Sequence, residues 1–159
     1  MSTKPPPPLA ERLGYLLKHA QLRFFELSAS ALAPLGVSGQ EAAVLRAIDC
    51  PEPLSQGDIA IRMRIDRTTM VALIDDLERK GLAQRRQDPG DRRKNVVELT
   101  GTGRDILRRA NQVAAEAEQS FLSPLAAGDR ERFMTALRAL TAADRSLSGD
   151  AGCARGEGG

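Results

Sequence analysis

The chain has 159 residues, a length that suits one domain with a sizeable core, and with one Tyr, four Phe and no Trp against abundant Ala, Leu and Arg it favours helix over sheet. Two distant cysteines, Cys50 and Cys153, suggest neither a disulfide framework nor a zinc cluster, and no apolar run approaches the ~20 residues of a membrane span. The start MSTKPPPP does not read as a signal peptide, so a mainly α, soluble, cytoplasmic protein without a cofactor is expected.

The net charge of +2 is unevenly spread: Arg62 to Arg109 holds thirteen Lys/Arg against eight Asp/Glu, so the positive potential is central. In chain order, residues 1–8 read as a short disordered stub with a polyproline-like run. Leu13, Leu16, Leu17, Ala20, Phe24, Leu27 and Ala31 then recur at helical spacing until Pro34 and Gly36 end the segment. Ser38, three residues before Glu41, opens a short helix as a capping box, and Pro51 stops it.

Two further helix starts follow. Ser55 caps a short helix through Ile59 and Ala60; after a turn around Met63 to Ile65, Asp66 caps a helix of about fifteen residues closed by Gly81. That layout is a helix-turn-helix, whose second helix can enter a major groove. At 100° per residue its Met70, Leu73, Ile74 and Leu77 share one side, while Thr68, Ala72, Asp75 and Arg79 lie opposite. Thr68, Thr69 and Ala72 near its start can meet base edges, with the acids placed farther down. Next, LAQRRQ and NVVEL read as strands of a hairpin turned by Pro89-Gly90, with Arg85, Arg86, Arg92, Arg93 and Lys94 on its arms and tip. Such crowded cations are best tolerated beside a polyanion, and a tip guanidinium fits a narrow minor groove. Asp88 and Asp91 can brace the loop by accepting from backbone amides or an arginine.

From Leu54 to Gly103 the chain resembles the winged helix-turn-helix core of MarR-type bacterial transcription regulators, most specifically in DPGDRR followed by V-E-L-T-x-x-G. The resemblance implies that Arg67, Thr68 and Thr69 begin the recognition helix, that Asp91 orients the wing, that Arg93 enters the minor groove, and that Arg92 and Lys94 contact phosphates. Gly57-Asp58 departs from the helix formers commoner there and is expected to weaken the first helix of the motif by under ~1 kcal/mol. The implied fold is mainly α: a winged core at about 38–100 with a two-stranded wing, dimerisation helices at about 9–35 and 101–146, a single domain over 9–147, and a disordered tail over 148–159.

After Thr100, Ile106, Leu107, Ala110, Val113, Ala114, Ala117 and Phe121 form one apolar stripe, and Phe133, Leu137 and Leu140 another. With the first helix they offer more apolar surface than a small winged domain needs, which favours a homodimer over a monomeric bundle and hence an inverted-repeat operator on double-stranded DNA. The resemblance further implies control by a small molecule, of the aromatic-acid type, with Tyr15, His19, Arg23 and Arg46 as candidate contacts. Two other readings stay open: a winged-helix adaptor that binds protein, and an oxidation switch at Cys50, although Asp49 and Glu52 disfavour a thiolate there. Catalysis finds no nucleophile, base or ligand cluster in the pattern, so no enzyme is expected.

Overall fold

The computed structural model describes residues 8 to 145 except Pro89 and Arg92, and backbone alone for 143–145. The stub before Pro8 and the tail beyond 145, with Cys153, therefore lie outside the described residues. Two compact units divide the chain, Met1–Phe121 and Leu122–Gly159.

In the first unit a helical turn at Leu9–Glu11 leads into α1 (Leu13–Leu32), which ends where Pro34 enters a second short turn and Gly36 takes a left-handed φ of 69°. Helix α2 (Gly39–Ile48) opens on the expected capping box: Ser38 Oγ accepts from Glu41 N at 3.1 Å, and Glu41 Oε2 accepts from Ser38 N at 2.7 Å. Helix α3 (Gln56–Met63) has a second capping box, between Ser55 and Asp58. Gly57 and Asp58 lie in its first turn, where Asp58 secures the helix start. The Ser55 hydroxyl and amide donate to the Asp58 carboxylate and hold it below its ordinary pKa.

The turn between the two helices is made by Arg64, which takes the left-handed conformation (φ 52°) that normally favours glycine. Helix α4 runs over thirteen residues, Arg67–Arg79, shorter than the sequence suggests because Lys80 already departs from it before Gly81 turns left-handed. The wing is β2 (Ala83–Gln87) against β3 (Asn95–Leu99), with Arg85 opposite Val97. A third strand extends the expected pair: β1 (Leu54–Ser55) adds to the other side of β3, giving the antiparallel order β1-β3-β2.

Helix α5 (Gly101–Leu122) follows directly. Its start explains the L-T-x-x-G pattern. Thr100 Oγ1 accepts from Gly103 N at 2.9 Å and donates to the Gly81 carbonyl at 2.7 Å. A Cβ on Gly103 would sit 1.8 Å from the Leu82 carbonyl oxygen, so only glycine lets the helix approach the wing root. The core is centred on Val44, Leu45, Ile59, Met70, Ile74 and Leu77, each fully buried, with Leu107 and Ala110 of α5 packed in. Phe24 of α1 meets Phe121 of α5 edge to face, centroids 5.5 Å apart. The second unit holds α6 (Ala127–Arg145), whose start is braced by Arg130 Nε donating to the Leu125 carbonyl at 2.8 Å. Among the described residues no helix is long and apolar enough to cross a membrane.

Candidate nucleic-acid interface

Helix α4 presents the two faces that its periodicity implies. Met70, Leu73, Ile74 and Leu77 are buried, whereas Arg67, Thr68, Ala72, Asp75 and Arg79 are exposed. Asp66 caps the exposed end: its carboxylate accepts from Thr69 N at 2.9 Å and from the Thr69 hydroxyl at 2.6 Å, which holds it below its ordinary pKa. Thr69 is thus half-buried and engaged with its cap, while Thr68 and Ala72 point outward. Arg67 stands at the first helical position, where the helix dipole disfavours a cation; an anion arriving there would be bound by both.

The wing tip is braced by its acids, through backbone amides. Asp88 Oδ1 accepts from Gly90 N at 2.6 Å and from Asp91 N at 3.3 Å, and Asp91 Oδ1 accepts from Arg93 N at 3.1 Å. Asp88 N donates to the Lys94 carbonyl at 2.8 Å and closes the loop. Arg93 and Lys94 are exposed, and neither side chain makes a hydrogen bond or ion pair with the described residues. Arg92 lies outside the described residues.

The arms differ from the tip. Arg86 pairs with Glu98 on the neighbouring strand. Arg85 pairs with Asp75 at 2.7 Å and with Glu78, both on α4. Sequence pattern marks Arg85 as a cation but conceals Glu78 and Gln56 as its partners, because the contacts span seven and twenty-nine residues. A second concealed pair joins α4 to α2: Lys80 Nζ lies 2.7 Å from Glu41, the one buried charged residue among those described, and also donates to the Gly36 carbonyl at 2.8 Å.

The four candidate ligand contacts separate. Arg46 lines a cleft of about 580 Å³ between α1, α2 and α5, walled mainly by apolar groups including Phe24, Phe25, Leu32, Ala42 and Met63. Its Nε and one terminal nitrogen donate to Asn111 Oδ1 at 3.0 and 2.8 Å, which fixes the guanidinium. Tyr15 and His19 stack on each other on the exposed face of α1, centroids 4.1 Å apart, and with Arg23 they lie outside this cleft. The alternation of apolar residues along α1 marks Phe24, but Phe25 and Ser28 enter the cleft unannounced. Cys50 is half-buried after α2, with an Arg62 terminal nitrogen 3.7 Å from its Sγ. No cluster of metal-ligating side chains occurs among the described residues.

A helix-turn-helix with an exposed recognition-helix start, followed by a cationic hairpin, is the architecture of a winged-helix DNA-binding regulator. Residues 37–94 match the MarR family. The chain is 35% identical to CouR, a transcriptional repressor solved bound to a 23-mer DNA duplex, over 84% of this chain and 94% of that one, with a TM-score of 0.76. It is 27% identical to the HTH-type transcriptional repressor NicR of Pseudomonas putida over 87% of each chain. BpsR of Bordetella bronchiseptica, whose DNA binding is regulated by 6-hydroxynicotinic acid, is 26% identical with a TM-score of 0.74, over 86% of this chain and 97% of that one. The chain belongs to the MarR family of transcriptional regulators.

Proposed function

We propose that this protein is a repressor that binds an inverted-repeat operator as a homodimer and is released by a small aromatic acid. The observation that carries the reading is the pairing of an exposed α4 start (Arg67, Thr68, Ala72) with a wing tip whose exposed Arg93 and Lys94 side chains make no hydrogen bond or close ion pair with the described residues. In this reading α4 enters the major groove, Arg93 enters the adjacent minor groove, Asp91 holds the wing tip in shape, and Arg92 and Lys94 meet phosphates. Thr69 orients the start of α4 through its cap. Leu13, Leu16, Leu17 and Leu22 of α1 are each about half exposed or more, and a partner subunit would cover them. The cleft beside Arg46 suits an apolar ring bearing a carboxylate, the chemistry of the acid that regulates BpsR.

The test is selection of 30-bp duplexes from a random pool, followed by competition with a panel of aromatic carboxylic acids. Half-sites should emerge as an inverted repeat with centres about 10 bp apart. Arg93→Ala should weaken binding and flatten the slope of log affinity against log salt by about one unit. No enriched sequence, together with an unchanged affinity for Arg93→Ala, would overturn the reading; no acid releasing the duplex would remove only its ligand-responsive part.

A further inference from the structure

The wing's four described cations divide by what their side chains touch, and Arg85 stands apart. Its Nε and one terminal nitrogen reach Gln56 Oε1 at 3.4 and 3.3 Å, the same terminal nitrogen meets Asp75 at 2.7 Å, and the other terminal nitrogen meets Glu78. All three guanidinium nitrogens are therefore directed inward, with side-chain exposure of only 24%. Glu78 takes more than the guanidinium: its Oε1 also accepts the Arg85 backbone amide at 2.7 Å. That amide lies on β2, an edge strand, so the glutamate seals a main-chain donor that would otherwise face solvent.

We propose that Arg85 is a positioning residue rather than a DNA contact: it clasps wing strand β2 to α3 and α4 and masks the carboxylates of Asp75 and Glu78 from the phosphates. The proposal rests on the DNA-binding reading above. Its physical basis is the sign of the recognition helix. The exposed flank of α4 holds Asp75, with Glu78 half-buried beside it, and an uncompensated carboxylate near a phosphate is repelled. One arginine shared between both acids removes that repulsion and fixes the angle at which the wing leaves the helix. Gln56, at the first position of α3, extends the clasp to the other helix of the motif.

Arg85→Met, Glu78→Gln, and Arg85→Met combined with Asp75→Asn and Glu78→Gln test the assignment on two probes, a pool-selected 30-bp duplex and an unselected one. Loss of Arg85 alone should weaken binding about tenfold, the effect of one unmasked charge beside the phosphates, while leaving the salt slope unchanged. Neutralising the two acids should restore most of that loss in the Arg85→Met background. A salt slope reduced by about one unit without rescue would make Arg85 a phosphate contact and overturn the proposal. A second arm needs no DNA: hydrogen exchange at the Arg85 amide should accelerate in both Arg85→Met and Glu78→Gln, with far-UV circular dichroism retained. Unchanged exchange would disprove the clasp. Wild-type protein that binds neither duplex would sink the regulatory reading instead, and with it the masking role, while the exchange arm still decides whether the clasp exists.

Discussion

The winged core and helix α1 solve the burial problem in opposite ways. From α2 to β3 the apolar side chains find one another: seven of the larger ones are almost wholly enclosed, and no buried side-chain polar atom among the described residues lacks a partner. Helix α1 has twenty residues, of which only Leu32 is buried. Leu13, Leu16, Leu17, Leu22 and Phe25 remain exposed along it. The core is complete as it stands, whereas α1 has one side committed to Phe121 and the α2 region and another still wet. Under the homodimer proposed above, a face of that kind is half of the interface.

The largest expected effect tests the wet side. Leu13→Glu with Leu17→Glu removes four apolar side chains per dimer, worth about 4 kcal/mol, and should raise the dimer dissociation constant roughly a thousandfold in sedimentation equilibrium. The monomer's thermal midpoint should not fall; if it does, and the assembly state is unchanged, α1 is internal packing and the contrast collapses. Gly103→Ala tests the enclosed side. The added methyl meets a carbonyl oxygen of the backbone, which cannot rotate away, so a loss of about 3 kcal/mol is expected from chemical denaturation. Tolerance of alanine would show that α5 can lift from the wing root.

Lys80→Met should cost about 2 kcal/mol, because Glu41 is left buried with only its capping contact, and Glu41→Gln in the same background should recover part of it. The smallest effect concerns acid sensitivity. Asp66 has its folded-state pKa lowered, by the Thr69 hydroxyl first and then by the Thr69 amide. The stability it lends is therefore present above the ordinary aspartate value of about 4 and is lost as pH falls through the lower, folded value. Asp66→Asn keeps a capping oxygen but not the charge, so its stability should depend less on pH in that window. An equal pH dependence in both proteins would remove the carboxylate from the account.

What the sequence revealed tracks how local the responsible contact is. The caps at Ser38, Ser55 and Asp66 are written within four residues and each opens its helix, while α4 ends at Arg79, two residues before the left-handed Gly81. The faces of α4 follow from its period alone. Strand β1 was missed because two residues are too few to show alternation, and its partner Val97 lies 43 positions after Leu54. The same distance problem hides Lys80 from Glu41 and Arg85 from Gln56. Charge pattern counts cations without saying which are already occupied, so the arms and tip of the wing look alike until their neighbours are placed. The spacing in L-T-x-x-G did contain a usable signal: a threonine followed three residues later by glycine, at the head of a helix, marks a cap beside a close approach.

Where Thr100 grips the Gly81 carbonyl and Gly103 abuts that of Leu82, two hinges are missing at once. The head of α5 and the base of the hairpin are tied by one side-chain bond and one backbone contact, so a shift of the helix start pulls on the hairpin root.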